Sequence, residues 1–181
     1  MTLAPSDTAD LLVEALGPAQ VRTVYPLIRA VEPSLSLADW LQYARRVAVG
    51  ERGRRGVLVA RRPAQRHPSG LVCYRCDRHI SHGTLLTAEH FVALDLLYAE
   101  AVLAALVTGL ERMATELGCG AIRSIVRGVH SPLIQHLCQH GHRAEGMTLT
   151  RTVSSGQPLL VTVEMAAAAV SCSPVSGAVD D

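Results

Sequence analysis

Hydrophobic residues recur at two periods along this chain, and the switches between them divide it into elements. Leu11 to Leu16 is a short apolar run closed by Gly17-Pro18, which predicts a strand. Val21, Val24, Tyr25, Ile28 and Val31 then recur at helical spacing until Glu32-Pro33 stops the pattern. Ser36 with Asp39 three residues on has the spacing of a capping box, with Asp in place of the usual Glu or Gln. Leu37, Trp40, Leu41, Ala44 and Val47 follow as a second helical stripe. Gly56 to Ala60 predicts a strand, and Arg61 to Gly70, with two prolines, a loop. Leu71 to Ile80 and Thr84 to Leu97 predict a hairpin turning around Ser81-His82-Gly83. From Glu100 the period lengthens: Val102, Leu106, Leu110, Met113 and Leu117 form one helix face that ends at Gly118. Ala121 to Arg127 predicts a strand, Ser131 to His140 a short helix stopped by Gly141, and Arg143 to Val153 and Pro158 to Met165 two further strands.

In order this reads β-α-α-β-β-β-α-β-α-β-β, an α/β fold with one mixed sheet and helices packed on it. No internal repeat and no linker divides it, so residues 1–165 are expected to form one domain and 166–181, rich in Ala, Ser and Val, a disordered tail. The 181 residues are 49% hydrophobic and 18% charged, enough for a core of ordinary size. A net charge of +1 gives no global pull toward nucleic acid or membrane. All the basic residues are arginine, which excludes a lysine nucleophile or Schiff base in this chain. Met1 to Gly17 lacks the pattern of a secretory signal, and the longest apolar stretch, Val92 to Leu110, carries Asp95 and Glu100. Five irregularly spaced cysteines do not form a disulfide framework. These features place the protein in a bacterial-type cytoplasm, with no membrane and no nucleic acid as partner.

Three clusters of chemistry-bearing residues stand out, and each has a bland reading that outweighs it. Cys73, Cys76, His79 and His82 have zinc-like types, but three-residue steps along a strand alternate between faces, so the four do not converge and no metal is expected. His136 and His140 share a helix face at i, i+4, with Cys138 and His142 nearby, which reads as surface histidines. Arg45 to Arg66 holds eight arginines and one acid, Glu51, a band that could bind phosphates or RNA, but it lacks the aromatics on which single-strand binders stack bases and reads as a solvated loop and helix end. No Gly-x-Ser-x-Gly, P-loop or Rossmann fingerprint is present.

Two segments carry a family likeness. Ala105 to Cys119, closing in Ala114-Thr115-Glu116-Leu117-Gly118-Cys119, resembles the helix after the pyrophosphate loop in the Gcn5-related N-acetyltransferase (GNAT) superfamily, which often ends in Ala-x-Glu-Leu-Gly-Cys. Ile122 to Gly141, with Val129-His130-Ser131-Pro132 before the helix and Gly141-His142 after it, resembles that family's following strand, Asn-Ser-Pro helix start and closing Leu-Gly-Phe. With the preceding hairpin, the likeness covers about residues 84 to 153, and the first half agrees in element order.

The resemblance implies transfer of an acetyl group from acetyl-CoA to an amine of a small molecule or polypeptide, within a ternary complex. It places the general base on the fourth strand, at Glu89 or at Asp95, which period-two alternation puts on the same strand face. The candidate acid is water or Tyr98, because Leu137 occupies the place of the family's acidic tyrosine. For the cofactor it implies backbone contacts from Leu94, Leu96 and Leu97, and from Ala99, Glu100, Ala101 and Val102 at the helix start, with His130 in the place of the family's asparagine. The chain departs from the pattern at that join: Leu97-Tyr98-Ala99-Glu100-Ala101-Val102 has neither the glycines nor the arginine of the family's loop, and Glu100 puts an anion where a diphosphate belongs. The alternative is therefore a non-catalytic binding or regulatory module on the same fold. An exposed sheet edge could also support a homodimer.

Overall fold

The computed structural model describes residues 11–49, 53–63, 65, 67–95, 98–126 and 132–146. The chain divides into two compact units, Met1–Ala144 and Glu145–Asp181, and the fold described below lies in the first. The expected strand Pro158 to Met165, the tail, and most of the expected strand Arg143 to Val153 lie outside the described residues, and 143–146 carry no strand.

Five strands form one sheet in the order β1-β2-β3-β4-β5. These are β1 (Leu12–Ala15), β2 (Arg55–Arg61), β3 (Gly70–His79), β4 (Gly83–Ala93) and β5 (Ala121–Ser124). The first four pair antiparallel, and β5 joins β4 in parallel. The helices are α1 (Tyr25–Val31), α2 (Leu37–Val49), α3 (Ala99–Glu116), which crosses from β4 to β5, and α4 (Pro132–Gln139). Fold class and element order match the sequence reading through α4.

Alternation along the central strands sorts the core into two layers. Leu58, Ala60, Val72, Tyr74, Cys76, Leu86 and Ala88 meet Val102, Leu106, Leu110 and Ala114 of α3. Val57, Val59, Leu71 and Cys73 meet Leu27 and Ile28 of α1 and Trp40 and Ala44 of α2. A strand covered on both faces has no polar phase, which is why Gly56 to Ala60 reads as a continuous apolar run. The Ser36 hydroxyl caps α2 by accepting the Asp39 amide at 3.1 Å, as the capping-box spacing predicts. Trp40 donates its indole N–H to the Val21 carbonyl at 2.7 Å, and Tyr25 its hydroxyl to the Leu35 carbonyl at 2.8 Å, so the α1–α2 hairpin is tied at both ends.

One irregularity reshapes β4. Leu71 opposes Val92 but Cys73 opposes Glu89, so three steps on β4 match two on β3. The extra residue makes a bulge at His90, the one non-glycine residue with positive φ (57°) among those described. The bulge reverses the alternation: Leu86 and Ala88 face α3, whereas Val92 faces α1 and α2, and Phe91 and Ala93 take over the α3 side.

Candidate functional site

β4 and β5 run paired from Leu85/Ala121 to Ala88/Ser124, and the Ile125 amide still reaches the Ala88 carbonyl at 2.8 Å. Beyond that point, at the bulge, the two strands part. The gap is a cleft of about 240 Å³ lined by Glu89, His90 and Phe91 on one side and Ile125 and Val126 on the other, with Val31 of α1 and Leu133 of α4 at its ends. Strand edges that stop pairing expose backbone donors and acceptors, so this opening suits a ligand that itself carries amides.

The bulge also sets which side chains enter. His90 Nε2 lies 3.0 Å from Glu32 Oε1, at the end of α1. Among the described residues its other ring nitrogen has no hydrogen bond. Glu89, one residue before, turns toward α2: Arg75 Nη1 donates to its Oε1 at 3.2 Å, and the same guanidinium reaches Asp77 at 3.0 Å. Behind them the Cys73 thiol is pushed up to about 12 by burial, and further by Glu89, against a hydrogen bond from Tyr43 that lowers it.

Glu89 and Asp95, expected on one face of the strand, do not share it. The bulge at His90 shifts the alternation between them, and β4 ends at Ala93, two residues short of Asp95. Asp95 Oδ1 instead accepts the Tyr98 amide at 3.0 Å, closing the turn into α3. Tyr98 is the N-cap of α3, and the Arg62 guanidinium lies 4.6 Å from its ring centroid. The expected length of β4, to Leu97, is corrected accordingly.

Two cofactor expectations change for related reasons. The Leu94 amide already donates to the Ser69 carbonyl at 2.8 Å and is not available to a cofactor. The Val102 amide is taken by the Tyr98 carbonyl at 3.0 Å, and its fully buried side chain packs in the core. Ala99, Glu100 and Ala101 precede that first helical bond, and their amides are the outward donors of the helix start. Glu100 is exposed there and, with Leu103, Gln135, His136 and Gln139, lines a second, smaller hollow of about 140 Å³ between α3 and α4. Leu96, Leu97 and His130 lie outside the described residues.

One arginine of the basic stretch Arg45 to Arg66 bears on the same end of the sheet. Arg62, directly after β2, holds Nη2 buried with no hydrogen-bond partner among the described residues. A guanidinium is thus brought beside the helix that lacks an arginine in its own loop. Leu137, in the place of the family's tyrosine, is buried against Val107 and Leu133 and offers no proton.

The other clusters resolve as packing. Cys73 and Cys76 point into opposite core layers, and His79 and His82 stack at 5.0 Å at the hairpin tip. Among the described residues no three His, Cys, Asp or Glu side chains gather as a metal site. His136 and His140 lie side by side at 4.7 Å, and His140 Nδ1 meets Glu111 of α3 at 3.2 Å. Among the described residues no helix is long and apolar enough to cross a membrane.

No protein-family model matches the chain, and no curated protein matches its sequence. Solved structures do. Glucosamine-6-phosphate N-acetyltransferase from Arabidopsis thaliana is similar with a TM-score of 0.65 at 10% identity, over 78% of this chain and 97% of that one. An aminoglycoside N-acetyltransferase in complex with CoA is similar with a TM-score of 0.65 at 12% identity, over 78% and 94%. A protein described as a transcriptional regulator from Bacillus halodurans reaches 0.67 at 12% identity, over 79% and 99%. The chain therefore has the fold of the GNAT acetyltransferases, as the resemblance of its second half implies. At these identities the likeness defines architecture alone.

Proposed function

We propose that the protein is an N-acyltransferase that moves an acetyl group from acetyl-CoA to an amine acceptor in the cleft between β4 and β5. The observation that carries this reading is the parting of those strands at the His90 bulge, which opens backbone edges and a histidine–glutamate pair to one space. The chain's own groups fit such a cofactor. The edge of β4 beyond Ala88 and that of Ile125–Val126 suit the amide-bearing arm. The Ala99, Glu100 and Ala101 amides, with the unpaired Nη2 of Arg62, suit the phosphates. Acetyl-CoA supplies the activated thioester.

The acceptor ammonium must lose a proton before its nitrogen can attack. His90 is placed to take that proton, because with Nε2–H donating to Glu32 the imidazole presents Nδ1 as an acceptor. Glu89 also lines the cleft, but Arg75 already engages its carboxylate, so its part is to hold the acceptor's cationic end or a bridging water. Tyr98 and Asp95 shape the helix start.

The test is calorimetric titration with acetyl-CoA of the wild type, Arg62→Met and Glu100→Gln. Micromolar binding that weakens about tenfold or more in Arg62→Met and strengthens in Glu100→Gln is expected. Absence of binding at millimolar cofactor contradicts the proposal. It would favour the second reading, a binding or regulatory module, which the exposed carboxylate of Glu100 in the first turn of α3 supports.

A further inference from the structure

Away from the cleft, two thiols meet across the core. Cys76 lies on β3 opposite Leu86, faces α3, and is 5% exposed. Cys119 follows α3, its amide donating to the Ala114 carbonyl at 2.8 Å, and remains half-buried. Their Sγ atoms are 3.7 Å apart, although 43 residues separate them in the chain. Both are free thiols. The pair sits at the level of Leu86 and Ile122, where β4 and β5 are still joined.

We propose that Cys76 and Cys119 form a modification site for low-molecular-weight disulfides, which convert the pair to an intrachain disulfide joining β3 to the α3–β5 turn. Cys119, the more accessible thiol, gives up its proton to solvent and attacks one sulfur of the reagent. The reagent's S–S bond breaks, one small thiolate leaves and takes a proton, and Cys119 is left in a mixed disulfide. Cys76 then loses its proton and attacks the Cys119 sulfur, expelling the second small thiol. Two protein thiols are oxidised by two electrons, and one disulfide is reduced to two thiols.

The structure sets the order of these steps. Burial pushes the Cys76 thiol up to about 12, and the adjoining Cys119 sulfur pushes it further, so Cys76 does not react first. Once Cys119 is in the mixed disulfide, its ionisable thiol no longer opposes the Cys76 thiolate. The sulfurs are in contact and must approach to about 2.05 Å, a side-chain adjustment of less than 2 Å. Cys73 is excluded because it points into the opposite core layer, and Cys138 is exposed on α4.

The experiment uses the native wild-type protein with excess glutathione disulfide at neutral pH, followed by N-ethylmaleimide and non-reducing tryptic mass spectrometry. Trypsin cuts after Arg75, so Cys76 leaves in Cys76–Arg78, apart from Cys73, and Cys119 leaves in Met113–Arg123. The expected product is a disulfide between these two peptides, with the linked protein melting on the order of ten degrees higher. Cys76→Ser should instead stop at the glutathione adduct of Cys119. The proposal is overturned if the wild type also stops at that adduct, if Cys119 couples to Cys138 or Cys172, or if the link forms only after unfolding.

Discussion

At Gly70 the side chains of α3 press directly on the sheet backbone, and Gly70→Ala measures how tightly the helix start is held over the cleft-bearing strand. A Cβ at this position would collide with the Val102 side chain, lie 2.8 Å from the Val92 carbonyl oxygen, and lie 3.3 Å from Leu106 Cδ1. Val102 and Leu106 are fully buried, and a backbone carbonyl in the β3–β4 ladder cannot rotate away. Overpacking of this kind costs about 2–3 kcal/mol, at the upper part of the usual range. Restricting the unfolded chain at a former glycine returns about 0.5–1 kcal/mol. The net loss is about 2 kcal/mol, a fall in Tm of about 4–8 °C for a chain of this length. Thermal unfolding followed by circular dichroism reads it directly. The relief also predicts direction: Gly70→Ala/Val102→Ala should recover part of the coupling but not the Val92 contact. Wild-type stability for Gly70→Ala would refute the packing of α3 on this end of the sheet.

His90→Gly separates stability from chemistry. Glycine tolerates φ of 57°, relieving about 1 kcal/mol of strain, while the partly buried Glu32 contact is worth about 1 kcal/mol. The variant should melt close to the wild type, yet lose about 100-fold or more in transfer rate; unchanged transfer would remove His90 from the reaction. A pH series tests the α3–α4 contact. Burial first, and then His140, depress His136 below its ordinary value of 6.5, while Glu100 and Glu111 pull it upward. The unfolded chain thus takes the proton first, so this contribution to stability is full above about pH 6.5 and lost as pH falls through the lowered value. His142 is depressed in the same way, again chiefly by burial. Tm measured from pH 7.5 to 5 should fall less steeply for His136→Gln than for the wild type, and equal slopes would contradict the burial of this imidazole.

The architecture was legible because its signals are local. The Ser36–Asp39 cap, the helical stripe from Val102 to Leu117 and the doubly covered run Gly56 to Ala60 each declare themselves within a few residues. The cleft was only half legible, because its geometry depends on a single inserted residue. The sign of it was present: apolar positions keep even phase through Leu86 and Ala88, then switch to odd at Phe91 and Ala93. Reading β4 as regular to Leu97 hid that switch, and so put Asp95 on the face of Glu89 and overlooked His90. Glu32, 58 residues away, and Arg62, which meets Tyr98 across the loop, reach the site by tertiary folding alone. No period or spacing announces such contacts.

Acyl transfer at the β4/β5 cleft can be observed directly. Its most direct test incubates the protein with acetyl-labelled acetyl-CoA and a panel of amines spanning amino sugars, aminoglycosides, polyamines and peptides. CoA release and labelled product are followed by mass spectrometry, beside Val126→Trp, which fills the cleft. A labelled amide is expected with the wild type, and its loss in Val126→Trp at unchanged secondary structure. A wild type that binds acetyl-CoA but transfers to no amine, or a Val126→Trp variant that transfers as well as the wild type, would contradict transfer at this cleft.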